Sequence, residues 1–244
     1  MMVERVEHEA WLSNAYLLAD APGGHGVLVD GNGLEDALQE RAEAEGITIT
    51  HVLCTHGHAD HVVGIERLAQ RLGVPLLAHP LTEVEADERV ENGATFTSGD
   101  YEIRALHTPG HCRDHVSYLV GGTHCLTADV LFRGTVGGTA GPGGDLAQLK
   151  HSILEVLFAL DPETVVLPGH REGTTIGAEQ ETNPFVRAWL HGDGLSEEPC
   201  RVSGRDATLL LWADDYDGGH KALVRFPSGE ETIVGGSRVD RSPS

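Results

Sequence analysis

The sequence has few cysteines and no long apolar run. Only 4 of its 244 residues are cysteine, and no two of them form a CxxC pair. A disulfide framework is therefore not expected, and we predict free thiols in a reducing cytoplasm. No apolar stretch reaches the roughly 18 residues that a membrane-spanning helix needs. The first ten residues, MMVERVEHEA, lack the apolar core of a secretory signal, which also favours a cytoplasmic location.

Basic residues are scarce as well. The chain has 17 lysines and arginines against 38 aspartates and glutamates, which gives a formal net charge of −21. Nucleic-acid binding requires a basic surface that displaces counterions, so no nucleic-acid partner is expected. The same acidity disfavours an anionic membrane surface. The composition is typical of one sizeable α/β domain with a solvated acidic surface.

Histidine, by contrast, is abundant, with 15 copies. The hexapeptide HGHADH of residues 56–61 lies between a predicted buried strand (47–54) and a predicted helix (61–72). In an extended loop, residues i and i+2 lie on the same side, so His56 and His58 can reach one ion. Asp60 and His61 stand at the start of the helix and point to a second position. Imidazoles combined with one carboxylate suit zinc with open positions for water.

Three further donors stand at the ends of predicted strands. His111 follows the turn of residues 108–110, Asp129 follows a short strand, and His170 follows the proline and glycine at 168–169. Each alone is weak evidence, but all three share the order strand, turn, donor. Each zinc ion needs three or four protein donors. We therefore predict seven metal ligands: His56, His58, Asp60, His61, His111, Asp129 and His170.

Strand-like and helix-like segments alternate in two blocks, roughly residues 1–100 and 101–190, which suggests two similar halves. Helical spacing is present at 34–45, 61–72, 146–160 and 175–190, the last with a break at residues 183–184. The composition changes after His191. We predict one domain over residues 1–191, a small β extension over 192–237 and a tail over 238–244. The extension is predicted to start with a linker over 192–199 and to contain hairpin-like strands at 207–213, 221–226 and 231–234.

These motifs resemble, in the same order, those of the metallo-β-lactamase superfamily. The resemblance rests on HGHADH, on HTPGH at residues 107–111, on the turn of residues 127–129 and on LPGH at residues 167–170. Within the superfamily, residues 131–145 and 174–185 are similar to the glyoxalase II-like (hydroxyacylglutathione hydrolase-like) branch. The resemblance covers about residues 10–190.

The resemblance implies an αββα sandwich with two zinc ions at one edge between two sheets. It implies one ion on His56, His58 and His111, a second ion on Asp60, His61 and His170, and Asp129 with a hydroxide bridging the two. That hydroxide would attack a thioester or ester carbonyl while one ion polarises the carbonyl oxygen. Asp60 would be catalytic, because it both binds an ion and orients the nucleophile. Neighbouring residues that could orient the imidazoles are Thr55, His107, Asp114 and His115.

Two departures concern the glutathione part of this resemblance. Relatives often read GRTD where this chain has GGTA at residues 137–140, so an anchor for an anionic thiol cofactor is missing. Residues 192–244 do not resemble the helical domain that holds glutathione in full-length glyoxalase II. Ala128 stands where many relatives have glycine, a small change that should be tolerated. The expected substrate is a small thioester or ester. The sequence does not identify the thiol component of such a thioester.

Other enzyme activities of the same fold are alternatives to this prediction. A persulfide dioxygenase would hold a single Fe²⁺ through His56, His111 and Asp129, and a lactonase would use the same nucleophile. A β-lactamase would need export, and a binding protein without activity would be expected to lose ligands. The β extension could shape the rim of the pocket or pair two chains into a homodimer along an edge strand.

Overall fold

The computed structural model describes residues 1–241. The chain divides into two compact units, each assembled from separate segments. The first unit comprises Met1–His107, Asp114–Ala128 and Leu167–Arg171, and the second comprises Thr108–Arg113, Asp129–Val166 and the chain from Glu172 onward. The predicted boundary between a domain and an extension at residue 191 stays a prediction.

The first unit contains a six-stranded mixed sheet. Its strands, with the two-residue strand β4 that follows β3, are β1 Met2–Glu7, β2 Asn14–Ala19, β3 His25–Val29, β4 Gly31–Asn32, β5 Thr48–Leu53, β6 Leu76–Ala78 and β7 Glu88–Arg89. The sheet order is β1-β2-β3-β5-β6-β7, antiparallel from β1 to β3 and parallel from β3 onward. Every residue of β2 is buried, as expected for a strand covered on both faces.

Three helices accompany this sheet: α1 Glu35–Ala44, α2 Ala59–Val62 and α3 Ile65–Leu72. The predicted continuous helix over 61–72 is therefore wrong. Gly64 adopts a φ of +77° between α2 and α3. The chain leaves the helix there because Val62 and Val63 make parallel bridges to Gly31 and Asn32.

Four more strands of the first unit form an antiparallel meander: β8 Thr95–Ser98, β9 Tyr101–His107, β10 Val116–Val120 and β11 His124–Ala128. Buried tyrosines join this meander to the first sheet. The Tyr118 hydroxyl donates to the Cys54 carbonyl at 3.0 Å, and the Tyr101 hydroxyl donates to the Leu18 carbonyl at 2.9 Å. Burial raises the pKa of Tyr118, so its hydroxyl keeps its proton and remains a donor.

The second unit begins with short elements: β12 Leu131–Phe132, β13 Thr135–Val136, α4 Leu146–His151, β15 Thr174–Thr175, α5 Ile176–Thr182 and α6 Pro184–His191. The strand β14, Val165–Pro168, starts in this unit, and its last two residues belong to the first unit. The predicted helix over 146–160 changes after α4 into a π-helical turn, Ser152–Leu157. The predicted break at 183–184 is present, because Asn183 caps α6 and Pro184 occupies its first turn. None of the helices in residues 1–241 is long and apolar enough to span a membrane.

The second unit ends in a five-stranded antiparallel sheet: β16 Glu198–Val202, β17 Arg205–Asp214, β18 His220–Arg225, β19 Glu231–Gly235 and β20 Val239–Asp240. The order is β19-β18-β17-β16-β20. The last three predicted strands are present as β17, β18 and β19. Two strands were missed, because β16 falls partly in a predicted linker and β20 falls in the predicted tail, where it pairs with β16. Residues 242–244 of that tail lie outside the described residues.

The free cysteines give a test of this core. All four are buried and unbridged. Burial raises the pKa of Cys125 to about 12, and burial, reinforced by the charges of Asp30 and Asp114, raises the pKa of Cys54 well above its usual value. We expect iodoacetamide at about pH 8 to leave the native thiols unmodified while it labels all four in guanidinium. Mass spectrometry counts the labels, and rapid native labelling of Cys54 would contradict the packing.

Candidate metal centre

The predicted ligand loop lies between β5 and α2. His58 adopts extended backbone angles immediately before α2. His56 Nε2 lies 3.1 Å from His58 Nδ1, so these two side chains do converge on one point, as the i and i+2 spacing predicts. His56 is fully buried and His58 is partly buried.

A second convergence involves Asp60, His61 and His170. Asp60 Oδ2 lies 3.5 Å from His61 Nε2 and 3.6 Å from His170 Nε2. The donor atoms of these three side chains all lie within 4.8 Å of one another. Two donors that are each about 2.1 Å from a tetrahedral zinc ion are about 3.4 Å apart. The observed spacing therefore fits a metal ion better than it fits direct hydrogen bonds.

Polar residues of β2 hold the loop that carries His170. The Asn14 backbone N–H donates to the Gly169 carbonyl at 2.7 Å, and the Asn14 side-chain amide donates to the Pro168 carbonyl at 2.9 Å. The Tyr16 hydroxyl donates to the same Pro168 carbonyl at 2.7 Å. Burial raises the pKa of Tyr16 above its ordinary value, so this hydroxyl stays protonated. The backbone next to His170 is thus fully hydrogen-bonded inside the first unit.

Asp30 orients His61, and sequence reasoning missed it. Its Oδ2 lies 3.0 Å from His61 Nδ1, and its two oxygens accept bonds of 2.8 Å from the backbone N–H and the hydroxyl of Thr55. With the Nδ1 proton held by this carboxylate, Nε2 of His61 faces Asp60 and is available to a metal ion. A signal was present, because Asp30, like Asp129, follows the end of a buried strand.

Two of the four predicted orienting residues support the ligand loop. Thr55 contacts Asp30, and the Asp114 carboxylate accepts a 2.8 Å bond from the Gly57 backbone N–H. His115 is buried with its ring centroid 5.2 Å from that of His56. His107 instead stacks on His79, with ring centroids 4.4 Å apart, so its described contact is with a residue outside the ligand set.

The remaining two predicted ligands meet in the second unit. His111 Nε2 lies 3.5 Å from Asp129 Oδ2, the same spacing as in the first unit. His111 Nδ1 lies 2.9 Å from the Gly138 carbonyl. This carbonyl can only accept, so it fixes the proton on Nδ1 and leaves Nε2 available to a metal ion.

Helix α4 and the π-helical turn hold the loop that carries His111. Gly110 has a φ of +137°, and a Cβ there would lie 2.3 Å from the backbone of Leu149. Only glycine allows this approach. The Asp145 N–H donates to the Gly110 carbonyl at 2.8 Å, and the Ser152 hydroxyl donates to the Pro109 carbonyl at 2.7 Å. The sequence TPG before His111 therefore serves close packing against the helix.

Two residues next to the ligands adopt left-handed backbone angles. Asp30 has a φ of +62° and Ala128 has a φ of +39°. Aspartate tolerates this region, whereas alanine there costs on the order of 1 kcal/mol. A glycine would adopt the conformation of Ala128 without this cost. Strain of this kind is characteristic of functional sites.

The fold and the histidine–aspartate clusters define a metal-binding protein of the metallohydrolase class. The family model described as the metallo-beta-lactamase superfamily matches residues 8–170, and the chain belongs to that superfamily. The mixed α/β fold matches the metallo-β-lactamase fold, as the resemblance implied.

Several known proteins are similar over most of their length. A hydroxyacylglutathione hydrolase of Acidiphilium cryptum (strain JF-5) is 35% identical over 225 residues, which cover 90% of this chain and 89% of that protein. The crystal structure of ETHE1 from Myxococcus xanthus has a TM-score of 0.71 at 29% identity, covering 79% of this chain and 92% of that one. The structure of TTHA1623 in a di-iron-bound form has a TM-score of 0.64 at 32% identity, covering 75% of this chain and 99% of that one.

Replacement of Asp30 by asparagine tests its role toward His61. Asp30→Asn keeps the shape but removes the charge that orients the imidazole, so the affinity for one metal ion should fall by about 10- to 100-fold. Asp36→Asn is the matched control, because that carboxylate is 78% exposed and pairs with Arg71 at the surface. Competition with a chromophoric chelator measures both affinities. Equal affinities in Asp30→Asn and the unmodified protein would refute the role.

Proposed function

We propose that this protein is a glyoxalase II-like, metal-dependent hydrolase of small thioesters or esters that uses two zinc ions. The observation that carries the proposal is the group of Asp60, His61 and His170 in the first unit, which could hold a metal ion. His56 lies next to His58 in the same unit, and His111 lies next to Asp129 in the second unit. The family resemblance assigns these last four residues to the other ion. Imidazole with carboxylate is a donor set that suits zinc. The hydroxyacylglutathione hydrolase relative supports the thioester class of substrate.

The two groups suit hydrolysis of a carbonyl compound. When bound, the ions supply a water of lowered pKa and polarise the substrate carbonyl. Asp60 is the residue best placed to assist the attack, because its side chain is 27% exposed while His61 and His170 are buried. Its carboxylate can hold an ion and accept a hydrogen bond from the attacking water. Asp30 keeps the proton on Nδ1 of His61, so that this imidazole stays oriented while the charge in the site changes.

The net charge and the family both favour a small molecule as substrate. A charge of −21 disfavours polyanionic partners, and the matched hydrolase is named for a small thioester. The cytoplasmic location and a homodimer formed through the β extension remain predictions from the sequence.

A mononuclear iron persulfide dioxygenase is the second candidate, and the similarity to the ETHE1 structure favours it. Such an enzyme would hold one Fe²⁺ through His56, His111 and Asp129. The complete second group of Asp60, His61 and His170 favours two ions instead.

Loss of a ligand tests the proposed hydrolase. His58→Ala and Asp129→Ala should each lower kcat/KM for S-lactoylglutathione or a simple thioester by at least about 100-fold, because the transition state loses a bound ion. His151→Ala is the control, since that histidine is exposed on α4. Full turnover with unchanged metal content in both ligand variants would sink the proposal.

Metal analysis separates the two candidates. Protein made without added metal should contain about two zinc ions per chain by mass spectrometry, because the donors divide into two groups. Asp60→Ala should lower this to about one, since it removes the carboxylate of one group. One iron per chain, unaffected by Asp60→Ala, would instead support the dioxygenase.

A further inference from the structure

We propose that the C-terminal sheet acts as a positioning device for His111, through the loop of residues 136–139. The proposal rests on the proposed function, because it assigns His111 to the metal centre. The residues of the sheet lie beyond residue 170, where the match to the family model ends. The loop includes residues 137–139 of the GGTA stretch.

Loop 136–139 contacts both metal-ligand segments of the second unit. The Gly138 carbonyl lies 2.9 Å from His111 Nδ1. The Gly137 N–H donates to the Val130 carbonyl at 3.1 Å. A Cβ at Gly137 would lie 2.0 Å from the Asp129 carbonyl oxygen. Glycine at 137 is therefore required for this approach, and the carbonyl that orients His111 comes directly after it.

The other side of the loop is bonded to β19 of the C-terminal sheet. The Thr139 N–H donates to the Ile233 carbonyl at 3.0 Å, and the Ile233 N–H donates back to the Thr139 hydroxyl at 2.9 Å. The Thr139 and Thr232 hydroxyls are 2.9 Å apart. Thr139 is 5% exposed and Thr232 is 6% exposed. In such a buried setting these hydrogen bonds hold the loop in one position, because no water can replace them.

A buried lysine of β18 holds the start of the loop. Lys221 Nζ donates to the Val136 carbonyl at 2.7 Å and pairs with Asp215 at 2.9 Å. It also lies 5.2 Å from the ring centroid of Phe132 and 5.0 Å from that of Tyr216. Both ends of loop 136–139 are thus attached to the C-terminal sheet, one by a charge-assisted bond and one by paired threonines.

These contacts give the C-terminal sheet a role in metal binding. A histidine ligand needs a fixed acceptor for its second ring nitrogen, and loss of that acceptor typically weakens metal affinity by about 10- to 100-fold. In this chain the acceptor is a backbone carbonyl, so its position depends on what holds the loop. Thr139, Thr232 and Lys221 are positioning residues in this sense, since they act on His111 through Gly138.

The test compares Thr139→Val with Thr139→Ser. Valine keeps the shape but removes the hydroxyl, whereas serine keeps it. Zinc titration against a chelator yields two dissociation constants. We expect Thr139→Val to raise one dissociation constant about tenfold and to leave the other unchanged. Thr139→Ser should have both dissociation constants of the unmodified protein. Val202→Ala, in the core of the same sheet but on β16, is the control that lowers Tm without a change in zinc affinity.

Unchanged zinc affinity in Thr139→Val would overturn the proposal. An equal loss in Val202→Ala at the same decrease in Tm would also overturn it, because the effect would then reflect general stability. If Thr139→Val does not fold, Thr232→Val makes the same test from the sheet side, and unchanged affinity there is decisive. An unmodified protein that binds fewer than two zinc ions would instead contradict the proposed function, which separates the two failures.

Discussion

The parallel pairing of β3 with β5 is the constraint on which the ligand loop of the first unit depends. The register places Val29 opposite Leu53, so the residues that follow the two strands lie side by side at the same edge. Asp30 and Thr55 meet there. A carboxylate that is only 4% exposed would be costly without partners. Thr55 and His61 are those partners. Their hydrogen bonds to Asp30 fix the start of the loop and the orientation of His61, a predicted metal ligand.

In the second unit a backbone carbonyl, and not a side chain, orients the histidine. His111 is oriented by the Gly138 carbonyl, and a backbone acceptor is only as well placed as the loop that carries it. A glycine-rich loop has a large conformational entropy to lose on ordering. The buried bonds of Thr139 to β19 and of Lys221, on β18, to the Val136 carbonyl offset that cost. The C-terminal strands and the loop that carries Gly138 therefore pack together within the second unit.

Prediction from the sequence agrees with the structure where a short pattern decides the local geometry. The ring nitrogens of His56 and His58 lie 3.1 Å apart, and Asp60 and His61 lie in the helix that follows, while the metal-binding role of these residues stays a prediction. Prediction failed where distant residues decide local structure. The helix over 61–72 is broken because Val62 and Val63 bridge to Gly31 and Asn32, some thirty residues earlier. The strand β20 falls in the predicted tail, because only its pairing with the distant strand β16 makes it a strand.

The sequence by itself determined the chemistry of this protein: the donor types, their order along the chain and their placement after strands, which together define the superfamily. Only the tertiary structure decided which groups orient those donors. No sequence motif marks Asp30, Gly138 and Thr139. A hydrogen bond to a donor residue requires proximity in space, and strand register and loop packing decide that proximity. For the same reason the sequence does not reveal the contacts of the C-terminal strands with loop 136–139, which join residues about ninety positions apart.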